Sequence, residues 1–149
     1  MSDDAADGMS KLLQDGAKVN GVIAENDSLA GGVINTLSEY YLVRNVPVVG
    51  MDADLSACQR VVEGQQLMTV YKPINKLAVA AADFAVTMVK GKSIGVMDTI
   101  SDGKYNVPYY YIQPEAVDRN NMVDTVISDG FHKMDEVYMN VPQYAWPTN

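Results

Sequence analysis

Three short stretches of the chain share one layout, and that layout restricts what the chain can fold into. Val22-Ile23-Ala24 runs into Glu25-Asn26-Asp27. Val46-Pro47-Val48-Val49-Gly50 runs into Met51-Asp52-Ala53-Asp54, and Met68-Thr69-Val70-Tyr71 runs into Lys72-Pro73. Each is an apolar β-type run, then a polar residue able to hold a ligand, then a helix start. Alternating strand and helix patterns argue for an α/β fold with a parallel sheet flanked by helices. In an open parallel sheet, ligands sit just beyond the carboxyl ends of the strands. Asn26, Asp52 and Lys72 are therefore expected at one rim. An amide, a carboxylate and an ammonium supply the mixed donors and acceptors that an uncharged, polyhydroxylated ligand requires. The residue types point to a sugar.

The segments between and after these stretches read as helices. Residues 4–14 look like the end of one, with Met9, Leu12 and Leu13 on one side. Residues 18–24 read as a buried strand. Asp27 or Ser28 is expected to cap a helix that carries Leu29, Ala30, Val33, Ile34 and Leu37 at helical spacing. Asp54 is expected to cap a short helix ending near Gly64. Pro73 suits a first helical position, where its missing N–H costs nothing. Beyond it, Ile74, Leu77, Ala78, Ala81, Ala85 and Met88 form one apolar stripe, and Gly91 closes the helix. Residues 98–106 are polar and turn-rich, 107–113 are a strand candidate, and 120–127 a short helix candidate. Residues 134–149 hold two prolines and no clear period, so a tail is expected there.

Bulk properties remove several functions. With 149 residues, 48% hydrophobic and 20% charged, the chain suits one globular domain with a real core. A formal net charge of −8 argues against nucleic acid, whose phosphates call for clustered Lys and Arg. No apolar run reaches the length of a membrane span, and no basic start followed by an apolar stretch marks a signal peptide. Cys58 is the single cysteine, so no intrachain disulfide can form. One His and one Cys rule out a thiolate or imidazole zinc cluster. No metal and no cofactor is expected. Asp98, Asp102 and Asn106 miss EF-hand spacing.

Two catalytic look-alikes also fail. Gly91-Lys92-Ser93-Ile94-Gly95 matches the G-x-S-x-G nucleophile elbow, with His132 downstream. That elbow needs a strand before the serine and a helix after it, whereas here a helix precedes it. As a P-loop the segment lacks the first glycine, since Val86 stands in its place. No catalytic residue is expected, and the chain is not expected to be an enzyme.

Four ordered motifs carry a family resemblance. They are Val22-Ile23-Ala24-Glu25-Asn26-Asp27, Val49-Gly50-Met51-Asp52-Ala53-Asp54-Leu55, Gly64-Gln65-Gln66-Leu67-Met68-Thr69-Val70-Tyr71-Lys72-Pro73-Ile74, and Asp124-Thr125-Val126-Ile127-Ser128-Asp129-Gly130-Phe131-His132-Lys133. Together they resemble the C-terminal portion of periplasmic sugar-binding proteins of ABC importers, closest to the D-xylose-binding type. The resemblance implies a partial periplasmic-binding-protein-like lobe over residues 1–133, with 134–149 a tail outside the match. It implies a monosaccharide ligand, a pentose or hexose, held by Asn26, Asp52 and Lys72. It also implies an extracytoplasmic location and a membrane permease as partner.

Family members are about twice as long, and the regions without a counterpart here supply further polar ligands and the stacking aromatic rings. Isolated binding is therefore expected to be weak. The helix after Lys72 crosses to the other lobe in the family, so its stripe is expected to need a homo-oligomer or the missing N-terminal half. The alternative function is an interaction or sensor subunit that dimerises or docks a partner through that helix face.

Overall fold

A computed structural model of the chain describes residues 2–147. They divide into two units, residues 2–72 with 115–147, and residues 73–114.

The first unit is built on a four-stranded sheet, β1 (Val22–Ile23), β2 (Val48–Met51), β3 (Met68–Tyr71) and β6 (Glu115–Val117), in that spatial order. β1, β2 and β3 are parallel neighbours, and β6 closes the edge antiparallel to β3. The α/β class and the parallel sheet are as the sequence pattern required. The first strand is shorter than residues 18–24, and the antiparallel β6 lies in a stretch where no strand was expected.

The register sorts every strand residue onto a face. Val22 aligns with Val48, Gly50 with Thr69, and Thr69 with Val117. Val48, Gly50, Thr69, Tyr71 and Val117 are all buried. Helices α2 (Asp27–Glu39) and α3 (Leu55–Val62) cover this face. Ala30, Val33, Ile34 and Leu37 of α2 join Val46 and Val48 in one apolar cluster. Val61 and Val62 of α3 join Tyr71 and Val117 in the other. Helix α1 (Ser2–Gln14) adds Met9 to the first cluster. Gly32 permits its close approach, because a Cβ there would overlap the Ser2 carbonyl oxygen.

The opposite face differs. Ile23 aligns with Val49, Val49 with Met68, Met51 with Val70, and Val70 with Ala116. Of these, Ile23 is 90% exposed, and Val49, Met51, Met68 and Val70 are only half-buried. Parallel sheets are normally covered on both sides. This apolar face is covered less than its partner.

The segment expected to be a tail contributes to the core. Helix α5 (Met134–Val137) buries Val137 and Tyr138 in the cluster of Cys58, Val61 and Val62. Trp146 packs on Tyr138 with ring centroids 5.9 Å apart, and its Nε1 donates to the Val141 carbonyl at 2.8 Å. Apolar residues at 134, 137, 138 and 141 are too few to register as a periodic helix, yet enough to seal one side of α3. The short helix candidate at 120–127 is a π-helical turn over Val123–Ile127.

The second unit holds helix α4 (Ile74–Val89) and a hairpin of β4 (Thr99–Ser101) and β5 (Asn106–Pro108). Of the expected strand at 107–113, only Val107 and Pro108 are in strand, as part of β5, and the rest is irregular chain. Pro73 stands at the start of α4, and Gly91 follows its end with φ +67°, a conformation that glycine adopts without a Cβ penalty. Phe84 meets Tyr110 edge to face at 5.1 Å. Helix α4 buries no residue: Ile74, Leu77 and Met88 are 54%, 58% and 65% exposed.

Candidate functional site

Parallel order decides the site geometry. β1, β2 and β3 point the same way, so the residues just after them gather at one end of the sheet. Asp52 follows β2 directly and Lys72 follows β3 directly. Asn26 follows β1 after Ala24 and Glu25. All three expected site residues lie beyond the carboxyl ends of adjacent strands.

Each has a definite environment. The Lys72 ammonium pairs with Oδ1 of Asp52, both side chains being partly exposed. The pair leaves the second carboxylate oxygen and the remaining ammonium hydrogens for other partners. Asn26 is the N-cap of α2: its side-chain oxygen accepts from the Leu29 N–H at 2.9 Å. Neither Asp27 nor Ser28 is the cap, contrary to expectation. The Asn26 oxygen thus already accepts one hydrogen bond, while its amide nitrogen keeps two donors. Asp54 precedes α3 without a side-chain cap bond.

The chain makes an abrupt turn at Asp52. Asp52 and Ala53 have φ of 108° and 54°, both in the left-handed region. Side chains disfavour it, at a cost of about 1–3 kcal/mol for each such residue. Surrounding bonds enforce the turn. The Asp52 N–H extends the ladder to the Val70 carbonyl at 2.9 Å. The Ala53 N–H donates to the Thr69 hydroxyl oxygen at 3.1 Å, and the Asp54 N–H to Oδ2 of Asp27 at 3.0 Å. The His132 Nε2 lies 2.8 Å from the Ala53 carbonyl, so His132 serves packing and turn support.

Asp27 was the residue that sequence reasoning missed. It is 1% exposed, and its carboxylate accepts from Gln66 Nε2 at 2.8 Å, the Thr69 hydroxyl at 2.7 Å and the Asp54 N–H. Arg60 donates to the Asp27 carbonyl and to Gln66 Oε1, both at 3.0 Å. Burial pushes the Asp27 carboxyl above the ordinary carboxylate range, and its hydrogen bonds to Thr69, Gln66 and Asp54 oppose the shift. Burial also pushes the Cys58 thiol up to about 12, with Asp27 and Asp54 adding to it. A neutral thiol that donates to the Ala53 carbonyl is inert as a nucleophile. Gly50 sits opposite Asp27 on β2, and a Cβ there would overlap Oδ1 of Asp27.

Ser93 lies in irregular chain after α4, where its hydroxyl accepts from the Gly95 N–H at 3.2 Å. No strand leads into it, so the nucleophile elbow is not formed. Among the described residues no group of three or more His, Cys, Asp or Glu could hold a metal ion. No helix among them is long and apolar enough to cross a membrane.

A sheet of this order, with polar residues at three strand ends, coincides with a sequence match. Residues 1–93 match the periplasmic binding protein domain. The chain belongs to that family. It is 48% identical over 120 residues to the D-xylose-binding periplasmic protein of Haemophilus influenzae, covering 80% of this chain and 36% of that one. It is 43% identical over 126 residues to the D-xylose-binding periplasmic protein of Escherichia coli, covering 85% of this chain and 38% of that one. The chain thus spans well under half the length of these relatives. Among solved structures, an ABC transporter solute-binding protein from Clostridium phytofermentans with bound β-D-glucose superposes with a TM-score of 0.78 at 27% identity. That superposition covers 91% of this chain and 44% of the other. The expected family resemblance is therefore correct. It is a family of binding proteins rather than enzymes.

Proposed function

We propose that this chain is a non-catalytic, extracytoplasmic sugar-binding lobe of the xylose-binding type, in which Asn26, Asp52 and Lys72 contact the ligand. The observation that carries the reading is the gathering of these three residues beyond the ends of three adjacent parallel strands. Relatives named for D-xylose and a structural neighbour holding β-D-glucose support a monosaccharide ligand.

The chemistry suits a neutral sugar. Asp52 accepts from one hydroxyl while Lys72, already paired with it, donates to another. The pair carries no net charge, so neither an anionic nor a cationic ligand is favoured. Asn26 donates from its amide nitrogen. Bonds to ionised partners are roughly twice as strong as neutral ones. Selection of a pentose over a hexose would come from filling the space of the extra hydroxymethyl group. A permease that takes the sugar onward is the family's partner.

Titration of the isotopically labelled chain with D-xylose, D-glucose and a non-sugar polyol tests the reading. Sugar-induced shifts at Asn26, Asp52 and Lys72 are expected, and their loss in Asp52→Ala. Shifts scattered away from these residues would defeat the assignment.

A second reading is favoured by the half-covered sheet face and by α4, which buries nothing. A second copy of the chain, or a partner supplying a matching lobe, covers these apolar surfaces. An interaction or sensor subunit would use them in the same way without needing sugar. Mass in solution, measured with and without sugar, separates the two.

A further inference from the structure

The turn that presents Asp52 is held by a buried relay that cannot itself reach a ligand. Asp27 lies in the first turn of α2 and Thr69 in the middle of β3, 1% and 0% exposed. The Thr69 hydroxyl has one hydrogen, and it goes to Oδ2 of Asp27 at 2.7 Å. Its oxygen is thereby aimed to accept from the Ala53 N–H at 3.1 Å. The same Oδ2 accepts from the Asp54 N–H at 3.0 Å. One buried carboxylate and one hydroxyl thus fix two successive amides directly after Asp52.

The two residues whose backbones need this restraint are Asp52 and Ala53, both with positive φ. Left-handed backbone is disfavoured for residues with a Cβ, so a loosened turn would swing Asp52 away from its pairing with Lys72. Gln66 and Arg60 complete the support. Gln66 donates to Oδ1 of Asp27 at 2.8 Å, and Arg60 orients Gln66 at 3.0 Å.

We propose that Thr69 and Asp27 are positioning residues for sugar recognition, setting the backbone at Asp52 and so the direction of its carboxylate. This rests on the sugar-binding reading. Thr69 is the better probe because two substitutions separate its hydroxyl from its shape. Valine keeps the shape and loses both bonds, whereas serine keeps both bonds and loses a methyl group.

The experiment compares the unmodified chain with Thr69→Ser, Thr69→Val and Ile34→Val, a methyl deletion in the apolar cluster that α2 forms with Val46 and Val48. Two quantities are read by NMR: the couplings that report φ at Asp52 and Ala53, and the dissociation constant for D-xylose and D-glucose. Thr69→Val is expected to shift the couplings toward ordinary backbone values and to weaken sugar at least tenfold. Thr69→Ser should keep both within about twofold, and Ile34→Val should lower thermal stability and leave both readouts unchanged. Unaltered couplings in folded Thr69→Val overturn the inference. So does undiminished sugar affinity in Thr69→Val, which leaves the sugar-binding reading intact. Absence of sugar-induced shifts in the unmodified chain overturns that reading and this inference with it. If Thr69→Val fails to fold, Asp27→Asn is read in the same way. It keeps one accepting oxygen, and either couplings or affinity equal to those of the unmodified chain overturns the inference.

Discussion

Asp52 and Lys72 form an ion pair across the ends of neighbouring parallel strands, and Asp52 does so from a backbone conformation that its side chain disfavours. Exposed pairs of this kind contribute only about 0–1 kcal/mol to stability. The strain at φ 108° therefore outweighs or cancels what the pair returns to the fold. The arrangement makes sense as a device for aiming a carboxylate rather than for holding the chain together.

Stability and binding should consequently move in opposite directions at this position. Asp52→Gly relieves the left-handed strain while making the unfolded chain more flexible, two effects of about 1–3 and 0.4–1 kcal/mol. The variant is expected to be more stable by about 1 kcal/mol in urea unfolding and to lose sugar-induced shifts. A clear loss of stability would mean that the carboxylate does more for the fold than the Lys72 pair accounts for.

Sugar binding by the isolated chain should be weak. Each exposed hydrogen bond nets about 0.5–1.5 kcal/mol, and three contacts bring the total to roughly −4 kcal/mol or less favourable, the millimolar range. Calorimetry should detect no heat at micromolar D-xylose. A micromolar dissociation constant from a monomer would show that residues outside these three carry much of the affinity.

The three strand–helix units were legible because each is a local pattern. Apolar runs end in turn chemistry, Pro73 starts a helix, and Gly91 ends it. Asn26, Asp52 and Lys72 could be read because strand direction alone sends them to one rim. Asp27 could not. An aspartate at a helix start reads as a cap, and only Gly50 on one strand and Thr69 on another turn it inward. Those partners are 23 and 42 residues away in sequence, beyond the reach of any periodic pattern. The order β1-β2-β3-β6 escaped for the same reason. Glu115–Val117 is three residues long and becomes a strand only by pairing with β3. The role of residues 134–147 depended on a gap beside α3 that no local signal advertises.

Burial of Asp27 has a signed consequence for pH. Its carboxyl is raised above the ordinary value of 3.8, chiefly by desolvation. The folded state then holds the proton more firmly than the unfolded chain. By linkage, this group's contribution to stability is full below the ordinary carboxylate range and is lost as pH rises through the raised folded value. The stability advantage of the unmodified chain over Asp27→Asn should narrow as pH rises across that window in urea unfolding. An advantage that widens with pH would mean that the three donors more than offset the cost of burying the charge.

Tyr138 offers a test in the other core cluster. Its hydroxyl is the one buried side-chain polar atom without a hydrogen-bond partner among the described residues. An unsatisfied buried group costs about 1–3 kcal/mol. Tyr138→Phe should therefore match or exceed the unmodified chain in urea midpoint, while keeping the ring contact with Trp146. A loss of more than about 0.5 kcal/mol, beyond the usual scatter of neutral substitutions, would reveal a partner for the hydroxyl.

The last expectation concerns association. Ile23, Val49, Met51, Met68 and Val70 line one sheet face that is half-covered or open, and α4 exposes Leu77 and Ala81 among other apolar residues. Apolar burial contributes roughly 25 cal/mol per Å², so covering about 200 Å² gives about 5 kcal/mol before the cost of joining two molecules. A two-fold contact between copies buries the same patch on both and so doubles the return. Light scattering should show concentration-dependent dimers or larger species. Val49→Lys tests the sheet face, and Leu77→Asp with Ala81→Asp tests α4. Whichever surface is used, its variant should be monomeric, while the other variant still associates. A monomer at every concentration for the unmodified chain would end self-association as the cover for these surfaces. The apolar faces would then await a partner chain that supplies the matching lobe.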